Sequence, residues 1–204
     1  MTHWDERYRS TAPEERSWTE DEPLESLELI GASGLSPREP VLDVGGGASM
    51  LVDALLERGY RDLTVLDVSP VALDEARRRV TDRFPGTAGH VEWIVSEVTS
   101  WSPSRVYRLW HDRAAFHFLT DEGSRHAYRS QLERATATGS AVILATFAPD
   151  GPETCSGLPV TRWDADGLAR ELGTGFRVVR HERREHVTPW GGVQPFTWIL
   201  AVRE

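Results

Sequence analysis

The 204-residue sequence has a single cysteine, Cys155, no long apolar run, and fewer basic than acidic residues. One cysteine excludes an internal disulfide, and a reducing compartment is the simplest setting for such a chain. No stretch approaches the ~20 apolar residues of a membrane-spanning helix. The charged start, MTHWDERYRS, lacks the apolar segment of a signal peptide. We therefore expect a cytoplasmic protein that has no membrane partner.

The shortage of positive charge argues against a nucleic-acid partner. The chain has 23 basic and 32 acidic residues, a formal net charge of −9 at pH 7. A surface of this sign repels a phosphate backbone. The length and the 39% apolar fraction suit one domain with its own core. The sequence leaves the oligomeric state open.

Short apolar segments alternate with amphipathic segments through the middle of the chain. The predicted strands there are PVLDV, DLTVLDV, HVEWIV, VYRLW and SAVILATF, mostly separated by helical patterns. This alternation predicts a doubly wound, mostly parallel sheet with helices on both faces. Two final strands, FRVVRHE and FTWILAV, have no helix between them and predict an antiparallel hairpin joined by RREHVTPWGGVQP. The expected fold is α/β, with a Rossmann-like, seven-stranded sheet.

The chain is expected to form one domain, 1–204, in three parts. Residues 1–34 form an N-terminal cover and a helix, residues 40–147 a cofactor-binding core, and residues 148–204 a substrate loop, a helix and the final hairpin. Trp4, Tyr8 and Trp18 lie in polar surroundings that lack a core pattern. A lid that encloses a cofactor accounts for these three aromatic residues.

The stretch VLDVGGGASM places Gly45, Gly46 and Gly47 directly after a strand. Glycines there let the backbone turn sharply and let a ligand approach closely, although a tight turn without a ligand is the alternative. The dinucleotide pattern G-x-G-x-x-G would place its last glycine at Met50, whose bulk opposes close packing. A carboxylate at Asp43 repels a pyrophosphate but attracts an ammonium or sulfonium group. The turn therefore favours S-adenosylmethionine over NAD.

Acidic residues also follow the next two predicted strands. Asp67, followed by Val68, ends the second strand, where a carboxylate can accept hydrogen bonds from ribose hydroxyls. A helix cap is the alternative role for Asp67, although Ser69 is the better cap residue. After the third strand, Glu97 can accept from an adenine amino group and Val98 can pack on the ring. Glu97 as a solvated loop acid is the open alternative.

The segments VLDVGGG, VLDVSP and SEVTSW, in this order, resemble the class I S-adenosylmethionine-dependent methyltransferases over residues 41–147. The family pattern D/E-x-G-x-G-x-G matches through Gly47 and has Ser49 in the last place. The resemblance implies a Rossmann-like fold, S-adenosylmethionine as cofactor and methyl transfer as the reaction.

Other segments resemble the thiopurine and thiol S-methyltransferases in particular. WHDRAAF is similar to the W-D-R-G-A-type segment of that group, and HWDERY…SW looks like its tryptophan-bearing cover. GLPV and RREHVTPWG are similar to its G-P-P-x-x-V loop and to its Arg/His pair. This resemblance implies a small-molecule acceptor, a thiol or another heteroatom. Similarity to some protein-lysine methyltransferases keeps a protein side chain open as the acceptor, and a non-catalytic cofactor-binding protein is a third possibility.

The catalytic candidates lie beyond the predicted fourth strand. His111, Asp112 and Arg113 are expected to face the site, His111 toward the cofactor, because ligands bind at the carboxyl ends of such strands. Asp112, Arg113 and His186 are expected to converge near the methyl group, Arg113 to hold an anion and Asp112 or His186 to take a proton. A purely structural role for these residues is the alternative. Cys155 has no predicted nucleophilic role, and no spacing matches a metal site.

Overall fold

A computed structural model describes residues 2–204 of the chain. Its strands are β1 (Val41–Val44), β2 (Leu63–Asp67), β3 (Val91–Val95), β4 (Leu109–Arg113), β5 (Ala141–Phe147), β6 (Thr154–Cys155), β7 (Leu158–Pro159), β8 (Phe176–Val187) and β9 (Val193–Arg203). Its α-helices are α1 (His3–Ser10), α2 (Leu24–Ala32), α3 (Leu51–Glu57), α4 (Pro70–Arg83), α5 (Glu122–Ala135) and α6 (Ala165–Leu172). Short 3-10 helices cover Pro13–Glu15, Ala88–His90 and Phe116–Phe118.

Seven strands form one sheet in the order β3-β2-β1-β4-β5-β9-β8, which confirms the predicted fold. The strands from β3 to β5 are parallel, whereas β9 is antiparallel to β5 and β8 is antiparallel to β9. The strands β6 and β7 form a separate small hairpin in the loop after β5. The strand order reverses between β1 and β4, and ligands of open α/β sheets bind in the crevice at this point.

Helices cover both faces of the sheet, as predicted. Apolar side chains of α2, α3 and α4 pack on one face, and those of α5 and α6 pack on the other. The central strands β1 and β5 are buried at every position because both of their faces are covered. Within residues 2–204, no helix has the length and apolar character needed to cross a bilayer.

Helix α1 was not predicted, because its sequence is polar and has no apolar stripe. Its first turn is held by a capping box: the Thr2 hydroxyl accepts from the Asp5 amide, and the Asp5 carboxylate accepts from the Thr2 amide. The same Asp5 carboxylate accepts a 2.8 Å hydrogen bond from the Ser69 hydroxyl at the start of α4. Capping and one long-range contact therefore stabilise this helix, and neither of them produces the apolar periodicity from which helices are predicted.

Strand β4 lies about three residues later in the chain than predicted. Leu109 pairs with Val41 and Asp112 with Val44, so His111, Asp112 and Arg113 are the last residues of the strand. The sequence places them in a loop because three polar residues in a row are unusual in a buried parallel strand. Each of the three finds its own partner in the folded chain, and this permits the extension.

The final hairpin is longer than predicted. Most of the segment 183–195, expected as a loop, lies in β8 and β9, and only residues 188–192 form the turn. Strand β8 is the edge of the sheet, and its side chains alternate between half-buried and exposed along most of its length. Arg180 and Arg184 pair with Glu182 and Glu28, which compensates the charges on one face of this strand.

Candidate active site

A cavity of about 750 Å³ lies at the carboxyl ends of the parallel strands, beneath the N-terminal segment. This volume is typical of small-molecule sites. Most residues predicted to bind the cofactor line the cavity: Trp4, Tyr8, Trp18, Asp43, Gly45, Gly46, Asp67, Val68, Glu97, Val98 and His111. Gly47 is the exception, because the Tyr8 hydroxyl covers the position that a Gly47 side chain would take. The contact of Gly47 with the cofactor stays a prediction.

The glycine turn is tightly packed against the protein's own side chains. Gly45 has a φ of +65°, and a Cβ there would lie 2.6 Å from the Ala115 Cβ. A Cβ on Gly46 would lie 2.5 Å from Asp43 Oδ2 and 2.7 Å from Val65 Cγ1. The bare backbone of Gly46 thus gives the Asp43 carboxylate the room it occupies in the cavity wall.

Gly46→Ala is expected to weaken S-adenosylhomocysteine binding about tenfold or more, equivalent to ~1.4 kcal/mol. The added methyl group would lie within 3 Å of both the Asp43 carboxylate and the Val65 side chain, so at least one of them must shift. Titration calorimetry measures the effect. Gly31→Ala is the control, since a Cβ on this α2 residue meets nothing within 4 Å and favours the helix. Equal affinities for the two variants would contradict the assigned role of the turn.

Asp43 is the first member of a buried hydrogen-bonded chain. His111, its register partner on β4, places Nδ1 2.7 Å from Asp43 Oδ1 and Nε2 3.0 Å from Ser26 Oγ. A neutral His111 donates from Nδ1 to the carboxylate and accepts at Nε2 from the Ser26 hydroxyl. All three residues line the cavity. Ser26 was not predicted, because a serine within the apolar pattern of α2 carries no distinguishing signal.

Asp67 ends β2 at the cavity wall. Its Oδ1 accepts a 2.7 Å hydrogen bond from the Ser69 amide, and the Ser69 hydroxyl caps α4 by accepting from Ala72. Ser69 is therefore the cap residue of α4. Burial, aided by the charges of Asp43 and Glu97, raises the pKa of Asp67 to about 7 despite the hydrogen bond from Ser69. Ligand hydroxyls that donate to this carboxylate would favour its charged form.

Replacing Asp67 with Asn is expected to change how stability depends on pH. An unfolded aspartate has a pKa near 3.9, whereas the folded Asp67 has a pKa of about 7. Between these values the folded protein keeps a proton that the unfolded chain has lost, so this group lowers stability as pH rises through that window. Relative to wild type, Asp67→Asn should therefore gain stability between about pH 4 and pH 7. Urea unfolding of the ligand-free protein across this range measures the gain.

Asp74→Asn removes one negative charge from an exposed position on α4 and serves as the control. Its stability relative to wild type should change much less over the same pH range. A difference between Asp67→Asn and wild type that does not vary with pH would contradict the raised pKa.

Asp112 does not face the cavity, and the prediction that it does is wrong. Side chains alternate along a strand, so His111 and Arg113 cannot share their face with Asp112. The Asp112 carboxylate is fully buried and accepts hydrogen bonds from the Tyr128 hydroxyl, at 2.7 Å, and from the amides of Ala115 and Phe116. Burial raises its pKa to about 6 against these three hydrogen bonds. Asp112 ties α5 and the turn after β4 to the sheet.

Arg113 and His186 come together around a third residue, Glu20. The Arg113 Nη2 atom lies 2.6 Å from Glu20 Oε1, and His186 Nδ1 lies 3.4 Å from the same oxygen. Arg113 Nη1 also donates to the Trp18 carbonyl, and His186 Nε2 lies 2.6 Å from the Ser17 carbonyl. Arg113 and Glu20 line the cavity, whereas His186 contacts Glu20 without itself lining that wall.

Glu20 is a site residue that the sequence analysis missed. It lies in the acidic run TEDEPLE, and the sequence pattern does not distinguish one of these carboxylates from the others. Burial by itself raises the pKa of Glu20, but Arg113 and His186 outweigh it and hold that pKa below its ordinary value. Glu20 is therefore an anion stabilised by side chains from two distant strands, Arg113 on β4 and His186 on β8.

The N-terminal segment closes over the cavity through aromatic and ionic contacts. The Trp4 ring lies 5.1 Å from Phe118 and 5.9 Å from Trp18, and Tyr8 lies 5.8 Å from Trp18. Arg16 stacks on Tyr8 and forms a bidentate ion pair with Glu75 of α4, at 2.7 and 3.0 Å. These contacts place the predicted cover directly above the glycine turn.

Burial shifts the pKa of two further groups near the site. Burial lowers the pKa of His117 to about 3, which keeps the ring neutral among Phe118 and Phe147. Burial also raises the pKa of the Cys155 thiol, which lines the cavity. A protonated thiol is a poor nucleophile, and the absence of a nucleophilic role for Cys155 stays a prediction.

Comparison with known proteins agrees with this geometry. Residues 41–139, just under half of the chain, match a family described as a methyltransferase domain. These residues form a class I S-adenosylmethionine-dependent methyltransferase domain. The domain contains the glycine turn, Asp67, Glu97 and strand β4, whereas the cover and the final hairpin lie outside it.

Relatives and solved structures extend the comparison. The chain is 28% identical to Nodulation protein S of Rhizobium tropici over 116 residues, and this aligned length covers 57% of this chain and 46% of that protein. It is 28% identical to the eEF1A lysine and N-terminal methyltransferase of Mus musculus over 102 residues, which cover 50% of this chain but only 13% of that protein. The chain thus spans less than half the length of these curated relatives.

Solved structures share the fold of nearly the whole chain. One of these structures has a TM-score of 0.73 and 21% identity. It concerns the conversion of a disulfide bond into a thioacetal group during echinomycin biosynthesis. It covers 98% of this chain and 91% of its own. The glycopeptide N-methyltransferase MtfA complexed with S-adenosyl-L-methionine has a TM-score of 0.70 and 15% identity, covering 95% of this chain and 99% of its own. The fold of the methyltransferase domain therefore extends into the flanking segments.

Proposed function

We propose that the chain transfers a methyl group from S-adenosylmethionine to a small-molecule acceptor, a thiol or another heteroatom nucleophile. The observation that carries this proposal is the roofed cavity of about 750 Å³, whose wall combines the glycine turn with the aromatic N-terminal cover. A covered pocket suits a small acceptor, because a protein side chain would have to enter with its own backbone attached.

The cavity wall fits the cofactor part by part. The Asp43 carboxylate would hold the cofactor's ammonium group, and the bare backbone at Gly45 and Gly46 permits close approach. Asp67 would accept hydrogen bonds from the ribose hydroxyls, and Glu97 with Val98 would bind the adenine. These carboxylates suit this ligand because they can accept hydrogen bonds from its ammonium and ribose groups, whereas they would repel the phosphates of a dinucleotide.

When bound, S-adenosylmethionine supplies an electrophilic methyl group on a sulfonium. The chain's own contribution is positioning, which accounts for a large part of the acceleration of such reactions. Trp4, Trp18 and Phe118 would help exclude water from the cavity and present aromatic surfaces that favour a neighbouring cation. Arg113 and Glu20 line the same cavity beyond β4 and would meet the acceptor.

A protein amine is the second candidate acceptor. Similarity to the eEF1A lysine and N-terminal methyltransferases supports it, although the match covers only 13–14% of those proteins. The cover contacts described above favour the small molecule, because they leave an unfolded peptide segment little room above the glycine turn.

A screen of methyl acceptors tests the proposal. Purified protein is mixed with S-adenosylmethionine and with thiols, phenols, halides, small amines or a lysine peptide, and S-adenosylhomocysteine release is measured. We expect release with at least one small heteroatom nucleophile, and none from the variant Asp43→Asn. Release with the lysine peptide alone would favour the protein substrate, and tight cofactor binding without any release would favour a non-catalytic protein.

A further inference from the structure

Arg113 and His186 are held by one short segment of the cover. Among residues 2–204, every described hydrogen bond and ion-pair contact of the Arg113 and His186 side chains is made to residues 17–20. The segment contributes three oxygen atoms, from the Ser17 carbonyl, the Trp18 carbonyl and the Glu20 carboxylate. An irregular stretch of chain therefore presents acceptor oxygens to Arg113 and His186, which are fixed on strands β4 and β8.

The Glu20 carboxylate fits Arg113 poorly. Although Arg113 Nη2 lies 2.6 Å from Glu20 Oε1, the pair lacks the alignment of a hydrogen bond. Within the described chain, the buried Nε and Nη2 atoms of Arg113 have no hydrogen-bond partner. A guanidinium normally binds a carboxylate through two parallel hydrogen bonds, and buried donors without a partner are costly. A freely placed carboxylate would satisfy Arg113 better than Glu20 does.

Another arginine of the cavity wall shows the difference. Arg79 binds the Asp53 carboxylate through Nε and Nη2 and also donates to the carbonyls of Ala48 and Ser49. Its acidic partner lies on helix α3, packed against the sheet. Arg113 is instead paired with an acid on the cover.

We propose that Glu20 occupies a carboxylate-binding site formed by Arg113 and His186, and that the acceptor's own carboxylate replaces it when residues 17–20 move aside. The exchange of one carboxylate for another leaves Arg113 with a counter-charge. A buried guanidinium without a counter-charge would be strongly destabilising. Trp18, Phe118 and Arg113 line the same cavity, so an aromatic acid suits the site. This inference rests on the proposed function and narrows its acceptor to molecules that carry a carboxylate.

Titration calorimetry with benzoate, on protein saturated with S-adenosylhomocysteine, tests the proposal. Glu20→Gln keeps the size of the side chain but removes its charge, so it should bind benzoate about tenfold or more tightly than wild type, ~1.4 kcal/mol. Benzamide, the neutral analogue, should bind both proteins equally. Asp21→Asn is the matched control, because it removes a charge from the neighbouring position in the same cavity wall.

A second substitution separates this site from a general charge effect. Arg113→Gln in the Glu20→Gln background should abolish the gain in benzoate affinity. The proposal is overturned if Glu20→Gln binds benzoate no more tightly than Asp21→Asn does, or if the gain survives loss of Arg113. Glu20→Ala answers the same question if Glu20→Gln melts early. Failure of wild-type protein to bind S-adenosylhomocysteine would count against the proposed function, whereas normal binding with unchanged benzoate affinity would count against this inference alone.

Discussion

Arg113→Gln is expected to lower turnover of the acceptor roughly 10²–10³-fold, the usual effect of removing one preorganised polar group from an active site. Arg113 lines the cavity at the end of β4, and its guanidinium pairs with Glu20 beneath the cover. The variant loses the group that would orient the acceptor, whereas the residues assigned to the nucleoside and methionine parts remain. Affinity for S-adenosylhomocysteine should therefore change by less than about threefold, which is under ~0.7 kcal/mol.

Kinetics and calorimetry on the same preparation check this separation. Arg113→Lys keeps the charge but not the planar fork, so its turnover should fall between those of wild type and Arg113→Gln. If Arg113→Gln loses cofactor affinity as much as it loses turnover, then Arg113 acts by holding the cover over the cofactor. That outcome would contradict its assignment to the acceptor.

Asp112→Ala is expected to lower the free energy of unfolding by about 3 kcal/mol or more. The substitution leaves the Tyr128 hydroxyl and the amides of Ala115 and Phe116 buried without their acceptor, and each such donor costs ~1–3 kcal/mol. Turnover per folded molecule should change little, because the carboxylate lies on the opposite face of β4 from the cavity. Urea unfolding, together with activity corrected for the folded fraction, measures both quantities.

Asp121→Ala is the control for Asp112→Ala. Asp121 caps α5 from an exposed position by accepting from Ser124, so its loss should cost only ~1 kcal/mol. A stable Asp112→Ala protein without turnover would show that Asp112 has the proton-accepting role expected from the sequence.

The sheet and the cofactor end of the cavity were predictable from sequence. Strong apolar segments at regular spacing predict the parallel strands, and polar residues that follow such strands must meet at one edge of the sheet. Asp43, the penultimate residue of β1, Asp67, the last residue of β2, and Glu97, two residues beyond β3, illustrate this. Their placement needs only strand positions and chain order, both of which are local properties.

The acceptor end depends on contacts that no local pattern records. Asp112 was predicted to face the cavity because β4 was expected to end at Trp110, which placed residues 111–113 together beyond the strand. They are instead its last residues, so their side chains alternate between its two faces. The true end requires Tyr128, on a helix far along the chain, to satisfy the buried carboxylate. Glu20 depends likewise on Arg113 and His186, two residues distant in sequence.

Titration calorimetry with S-adenosylmethionine, S-adenosylhomocysteine and NAD tests the central claim, that the glycine turn and its flanking carboxylates form a nucleoside site without a phosphate. We predict one binding site per chain for each of the first two ligands and no measurable binding of NAD, because Asp43 and Met50 oppose a pyrophosphate at the turn. Binding of NAD as tight as that of S-adenosylhomocysteine would contradict this account of the site.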